Sequence, residues 1–260
     1  MFRIALPCVF LLAACAQTPP RPAADTTHTQ LPVLRKVDTP GATDSIAMQA
    51  KMQRHRDSLA TLPLLNAGLV NVQQVAPDIL VALKYSTTDN FLGFDVYGDL
   101  STAFLQPDVA EKLAAAQKAL AAMHPGYRLL VYDAARPLSI QKKMWDTLRH
   151  RPLDRSKYVS NPANGGSLHN YGAAVDLTIA DSLGNPLDMG SAYDFFGIES
   201  HPAREAELLA AGKLTPAQIE NRKLLRSVMR SAGFFGITSE WWHFNSCTRA
   251  VAQEKYVLLK

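Results

Sequence analysis

Ser167-Leu168-His169-Asn170-Tyr171-Gly172-Ala173-Ala174-Val175-Asp176-Leu177-Thr178-Ile179 decides how this chain is read. Residues 173–179 are mostly apolar and bounded by turn residues, so they read as a central strand. Asp176 stands in its middle, and a carboxylate there is costly to bury unless it is paired or bound to metal. Its plainer role would be to accept backbone hydrogen bonds at a sheet end. His169 precedes it, with Gly172 between. Far downstream stands Glu240-Trp241-Trp242-His243. Two imidazoles and one carboxylate would give a catalytic zinc three protein ligands and leave the fourth position to water. A glutamate that is not a ligand would then be free to take that water's proton.

Spacing limits how these residues can meet. No His-Glu-x-x-His occurs, so the helical zincin arrangement is absent and the ligands must come from a sheet and its loops. Residues three apart in a regular strand face opposite sides. Glu240 and His243 can therefore share a site only if the backbone at Trp241-Trp242 is bulged or bent.

Outward from these pieces, alternation predicts a strand over 70–75 and a more buried one over 79–85, followed by a polar loop ending at Gly93. A helix over 107–123 would bury Val109, Leu113, Ala116, Leu120 and Met123, with Pro107 in its first turn. A strand over 127–132 follows, then a turn holding Arg136, then a helix over 138–150. Residues 181–185 read as a turn and 202–213 as a helix. Thr215-Pro216-Ala217-Gln218 has the form of a capping box opening a helix that runs to Ala232 and stops at Gly233. Residues 234–245 are aromatic and β-branched and read as extended. The expected fold is α+β: a small, mostly antiparallel sheet with flanking helices, and a zinc site in a cleft on the sheet.

The 260 residues, 47% hydrophobic and 19% charged, suit one globular domain of about 200 residues with an addition. The net charge of +4 comes without a basic run, which argues against nucleic-acid binding. Cys8 and Cys15 lie at the start and only Cys247 lies beyond, so neither a disulfide framework nor a cysteine zinc cluster is available to the domain. After the short basic start Met1-Phe2-Arg3, the apolar run over 4–14 is shorter than the ~20 residues a membrane-spanning helix needs. Leu12-Ala13-Ala14-Cys15 resembles a bacterial lipobox, the alternative being an ordinary secretory signal. The expected organisation is a lipoprotein signal over 1–14, a lipidated Cys15 with a tether over 15–61, and a catalytic domain over 62–260. If the host is Gram-negative, Ala16 after the cysteine, rather than Asp, favours outer-membrane anchoring on the periplasmic side, by resemblance to the usual sorting rule. Residues 16–45 are rich in Thr, Pro and Ala and lack apolar periodicity, and 46–60 could form a polar helix.

If zinc sits on His169, Asp176 and His243, the other roles follow. Glu240 would pass the water's proton to the departing amine. Arg136, at a strand-to-helix turn, would face the tetrahedral oxyanion, although it could equally make a surface ion pair with Asp133. A short peptide brings its own ammonium, for which Asp194 is the first candidate and Asp188 the weaker. His28, in the tether, reads as solvated; His55, His124, His150 and His201 stand beside charged residues or prolines and read as solvent-facing, and Trp241 and Trp242 as core or cleft wall.

The pattern Ser167-x-His169-x-x-Gly172-x-Ala174-x-Asp176, followed by Glu240-x-x-His243, resembles the zinc site of the D-Ala-D-Ala metallopeptidases. That family includes D,D-carboxypeptidases and dipeptidases of the vancomycin-resistance type. Tyr85-Ser86-Thr87-Thr88-Asp89-Asn90-Phe91 with Gly93, Asp133-Ala134-Ala135-Arg136-Pro137 and Glu240-Trp241-Trp242-His243-Phe244 favour the dipeptidase branch, and the likeness spans about 69–244. It implies one zinc per chain on His169, Asp176 and His243, Glu240 as base, Arg136 as transition-state stabiliser, and Ser167, Tyr85 and Asp194 around a small D,D-dipeptide. Leu168 and Asn170-Tyr171 depart from the family's smaller or more polar residues. The anchor signal favours degradation of wall-derived D-Ala-D-Ala over a cytoplasmic resistance role. Two alternatives stay open: a D,D-carboxypeptidase trimming stem peptides, and a non-catalytic wall-binding lipoprotein, which would have no use for Glu240.

Overall fold

The computed structural model describes residues 42–150 and 155–260. Cys15, His28 and the expected signal and tether up to residue 41 lie outside the described residues. No helix among those described is long and apolar enough to cross a membrane.

In chain order the elements are α1 (Ala42–Asn66), β1 (Val70–Asn71), α2 (Val72–Val75), β2 (Leu80–Val81), β3 (Phe104–Leu105), α3 (Pro107–Met123) and β4 (Arg128–Asp133). They continue with α4 (Leu138–Thr147), α5 (Arg155–Tyr158), β5 (Ala174–Ala180), α6 (Glu205–Ala210), α7 (Pro216–Ser231), β6 (Phe235–Gly236), β7 (His243–Asn245) and α8 (Arg249–Lys255). The main sheet runs β2-β4-β5-β7-β6, antiparallel throughout except for the parallel pair β2 and β4, and a second, antiparallel sheet joins β1 to β3. The fold is therefore α+β.

β5 lies at the centre of the sheet and every one of its residues is buried. Its alternation divides the molecule. Val175, Leu177 and Ile179 enter the main core, whereas Ala174, Asp176, Thr178 and Ala180 face the other side. α3 packs on α7 and β4, and α7 also packs on β5. Val109, Leu113, Ala116 and Leu120 of α3 are wholly buried there with Leu225, Val228 and Met229 of α7. Each large apolar side chain so placed contributes roughly 1.5–3 kcal/mol. Met123, expected on the same face, is 55% exposed, because the helix ends there above the core. The Thr215 capping box forms as expected: Gln218 N donates to Thr215 Oγ1 at 3.2 Å and Thr215 N to Gln218 Oε1 at 2.9 Å.

Several expectations are corrected. Over 70–75 only Val70–Asn71 is strand, and a helical turn follows, opened by Asn71 Oδ1 accepting from Gln73 N at 2.8 Å. Six alternating residues cannot distinguish a strand from one capped helical turn. Over 79–85 only Leu80–Val81 pairs with β4, and a 3-10 turn at Lys84–Ser86 then swings Tyr85 inward. The helix over 138–150 ends at Thr147 and tightens into a 3-10 turn. The helix over 202–213 shrinks to α6, ahead of the left-handed Gly212. α1 crosses the domain start expected near Leu62, and among its described side chains the buried ones are Thr61 and Leu64.

Candidate metal centre and catalytic cleft

Strand register builds the centre. Asp133 of β4 pairs with Asp176 of β5, which pairs with His243 of β7, so three polar side chains line up across adjacent strands. A register shift between Val131 and Asp133 brings Asp133 into that row. His169 arrives from the 3-10 turn Leu168–Tyr171, just ahead of β5. Gly172 closes that turn at φ +63°, where a Cβ would lie 2.8 Å from Leu69 Cδ2. The turn is tied to the Arg136 segment: Arg136 N donates to His169 O at 2.9 Å and Asn170 Nδ2 to Arg136 O at 2.7 Å.

Three side-chain atoms converge. Asp176 Oδ1 lies 2.9 Å from His243 Nδ1 and 3.3 Å from His169 Nε2, and the two ring nitrogens are 3.2 Å apart. The far side of each group is already committed. His169 Nδ1 donates to the Ala134 carbonyl at 2.7 Å and His243 Nε2 to Asn245 Oδ1 at 2.8 Å. Asp176 Oδ2 accepts from the Tyr193 hydroxyl at 3.1 Å, with Arg136 Nη2 at 4.0 Å. With those protons placed, His169 Nε2, His243 Nδ1 and Asp176 Oδ1 all present lone pairs to one point.

Such a point needs a cation or a proton. Burial pushes the Asp176 carboxyl up, but His169 and His243 outweigh it and hold it below the usual carboxylate range. Burial opposes charge on His243, yet the hydrogen bond and charge of Asp176 lift it to about 9. A divalent cation meets the same demand. His169, Asp176 and His243 can hold one, with all three donor atoms within 4.8 Å of one another, and two imidazoles with one carboxylate suit zinc.

Tyr85, Arg136, Ser167 and Asp194 line the same cleft of about 250 Å³ as the three converging residues and Glu240. The chain bends at Trp241 and Trp242 before β7 begins, as the spacing required, and so Glu240 and His243 share one site. Desolvation in the cleft raises the Glu240 carboxyl above its ordinary value, with His243 opposing and Asp176 adding. Ser167 Oγ is buried and has no partner.

Arg136 does pair with Asp133, but inside the protein and not on its surface: the two are 6% and 0% exposed. Its Nε donates to Asp133 Oδ2 at 3.0 Å, Nη2 donates to the same oxygen, and Nη1 donates to Gln141 Oε1 at 2.9 Å. Burial alone would favour loss of its proton, but Asp133 outweighs that and raises its pKa further. The guanidinium lies 5.1 Å from the Tyr85 ring centre.

Asp194 is the only non-glycine residue at positive φ (59°) among those described. Its Oδ1 accepts from the Tyr85 hydroxyl at 3.2 Å, and its buried Oδ2 has no partner. Burial, with Asp176 adding, holds its carboxyl well above the usual range. Asp188 does not line this cleft. Its oxygens accept from Gly190 N at 2.9 Å and Gln218 Nε2 at 2.8 Å, fastening the loop to α7.

The residues that reasoning from sequence missed are Asn245, Tyr193, Gln141 and the buried role of Asp133. Asn245 had a signal, since two residues after His243 in a strand means the same face. Tyr193 and Gln141 had none. His124, His150 and His201 do not line the cleft.

Residues 65–258 match the family described as D-ala-D-ala dipeptidase. The D-alanyl-D-alanine dipeptidase of Escherichia coli (strain K12) is 35% identical over 176 residues, covering 68% of this chain and 83% of that protein. That of Enterococcus faecium is 30% identical over 194 residues, covering 69% and 92%. That of Enterococcus faecalis (strain ATCC 700802 / V583) is 32% identical over 175 residues, covering 62% and 82%.

Proposed function

Because the chain belongs to the D-ala-D-ala dipeptidase family, we propose that it is a zinc-dependent enzyme that hydrolyses D-alanyl-D-alanine to free D-alanine in the cell envelope. The observation that carries this reading is the convergence of His169 Nε2, Asp176 Oδ1 and His243 Nδ1 beside Glu240 in one cleft. When bound there, zinc supplies a Lewis acid that acidifies water and polarises the scissile carbonyl.

The chain's own residues do the rest. Glu240 takes a proton from the attacking water as the new C–O bond forms, and delivers it to the amide nitrogen as the C–N bond breaks. Arg136, held rigid by Asp133 and Gln141, presents positive charge to the developing oxyanion. Asp194 receives the substrate ammonium on its unpartnered Oδ2, with Tyr85 holding the other oxygen. Ser167 offers its free hydroxyl to the bound dipeptide.

Glu240→Gln keeps the shape and removes the base, so kcat on D-Ala-D-Ala should fall by about 10²–10⁴-fold. Unchanged turnover would end the mechanism, and release of D-alanine only from a pentapeptide stem would replace the dipeptidase with a carboxypeptidase. The envelope location rests on Leu12-Ala13-Ala14-Cys15. Labelled fatty acid should enter the wild-type chain and be absent from Cys15→Ser; equal labelling of both would sink the anchor.

A further inference from the structure

A dipeptide carries a carboxylate as well as an ammonium, and the groups assigned so far leave the carboxylate unmet. Arg136 and Arg249 are the arginines lining the cleft. Arg136 is committed to Asp133 and Gln141. Arg249, the first residue of α8, is exposed, and among the described residues no carboxylate lies within ion-pairing distance of it. Its hydrogen bonds are long ones, from Nη1 to the Asn164 carbonyl at 3.4 Å and the Gly165 carbonyl at 3.3 Å. Those carbonyls lie just ahead of Ser167, whose buried Oγ also lacks a partner. A guanidinium with no carboxylate partner among the described residues and a hydroxyl with no hydrogen-bond partner thus lie against one short segment at one cleft wall.

Their place relative to Asp194 matters. In the sheet order β2-β4-β5-β7, Tyr85, which holds Asp194, follows β2, whereas Arg249 follows β7. Asp176 lies on β5 between them. Asp194 and Arg249 line the same cleft as the converging ligand atoms, and so offer an anion and a cation for the two ends of a zwitterionic dipeptide.

We propose that Arg249 receives the C-terminal carboxylate of the substrate, making it a specificity-determining residue that selects for a free chain end. The inference rests on the reading of this cleft as a site for terminal D,D-peptide bonds. A guanidinium pairs with a carboxylate through two parallel N–H donors, and an amide in the carboxylate's place loses that pairing.

The test compares D-Ala-D-Ala with its C-terminal amide. Wild-type protein should favour the free acid, and Arg249→Met should lower kcat/KM on the acid by about 10- to 100-fold. The loss should appear in KM, should spare the amide, and should be partly restored by Arg249→Lys. Equal losses on acid and amide, or no loss on either, would overturn the assignment. Calorimetric titration of both ligands into zinc-loaded Glu240→Gln protein, with and without Arg249→Met, gives a readout without turnover. If the acid is preferred there and the preference vanishes with Arg249→Met, the subsite stands even should wild type hydrolyse neither compound, which would sink only the dipeptidase reading. Equal binding of acid and amide, or binding of neither, overturns the subsite.

Discussion

His243 presents Nδ1 to the centre because Asn245 holds its Nε2 proton from the same strand face, two residues on. Such outer partners set which nitrogen carries the lone pair and which way the ring faces. Asn245→Ala should therefore weaken zinc affinity by about 10–100-fold with little change in fold. Competition against a chromophoric chelator, beside a circular dichroism spectrum, measures this, and unchanged affinity would show that Asn245 does not set the tautomer. At this scale, Asp176 was legible as a charge interrupting an apolar strand, and His169, Glu240 and His243 were legible by type and spacing. The choice of Asp194 over Asp188 was open in the sequence. Hydrogen bonding favours Asp194 as the proposed ammonium partner: Asp188 spends both oxygens on Gly190 and Gln218, whereas Asp194 keeps Oδ2 free.

Among the elements, α3 shows which force holds a helix in place. Its wholly buried Leu113 packs in the main core, and Leu113→Ala should cost about 2–5 kcal/mol in urea unfolding. Its first turn also carries Asp108, which accepts from Lys255 Nζ at 2.6 Å and from the Tyr256 hydroxyl at 2.8 Å at the end of α8. Slight burial opposes charge on Asp108, but Lys255 and Tyr256 hold its carboxyl below the ordinary value. That pair is largely solvent-exposed, so Asp108→Asn should cost no more than about 1 kcal/mol at neutral pH. A carboxyl with a depressed folded pKa contributes its full stability above the unfolded value near ~3.9 and loses it as pH falls through the folded one. The gap between wild type and Asp108→Asn should thus close as pH drops below about 4. A gap that persists in acid would place the contribution in packing and not in charge. α3 was legible because it repeats its period several times, α7 because a capping box and a glycine mark its ends, and β5 because its apolar run is bounded by turn residues. β1 with α2, and β2 with the turn at Tyr85, were not, because two to four residues hold too little periodicity to outweigh a single capping or pairing contact.

At the scale of the described domain, three acceptor atoms converge, and a cation held there would join a turn ahead of β5 to β5 and β7. A ligand that binds only the folded chain stabilises it by about 2.7 kcal/mol at a hundredfold excess over its Kd. Thermal melting should accordingly show a higher Tm with zinc than after chelation, and His169→Ala should remove most of that difference. Identical melts with and without zinc would mean that the centre holds no metal in the folded state.

The sequence by itself determined which chemistry was present: two imidazoles, two carboxylates and an arginine in a specific pattern, and the helices and central strand that could carry them. Those properties reside in residue types and short-range periods, which the chain carries wherever it folds. Only the tertiary structure decided which atoms meet. The strand register sets Asp133, Asp176 and His243 in one row, the bend before β7 turns Glu240 to the same side, and Arg249 comes to face the cleft from α8. Each of these depends on contacts between residues far apart along the chain. Such contacts form through the packing of whole elements, so no local pattern encodes them.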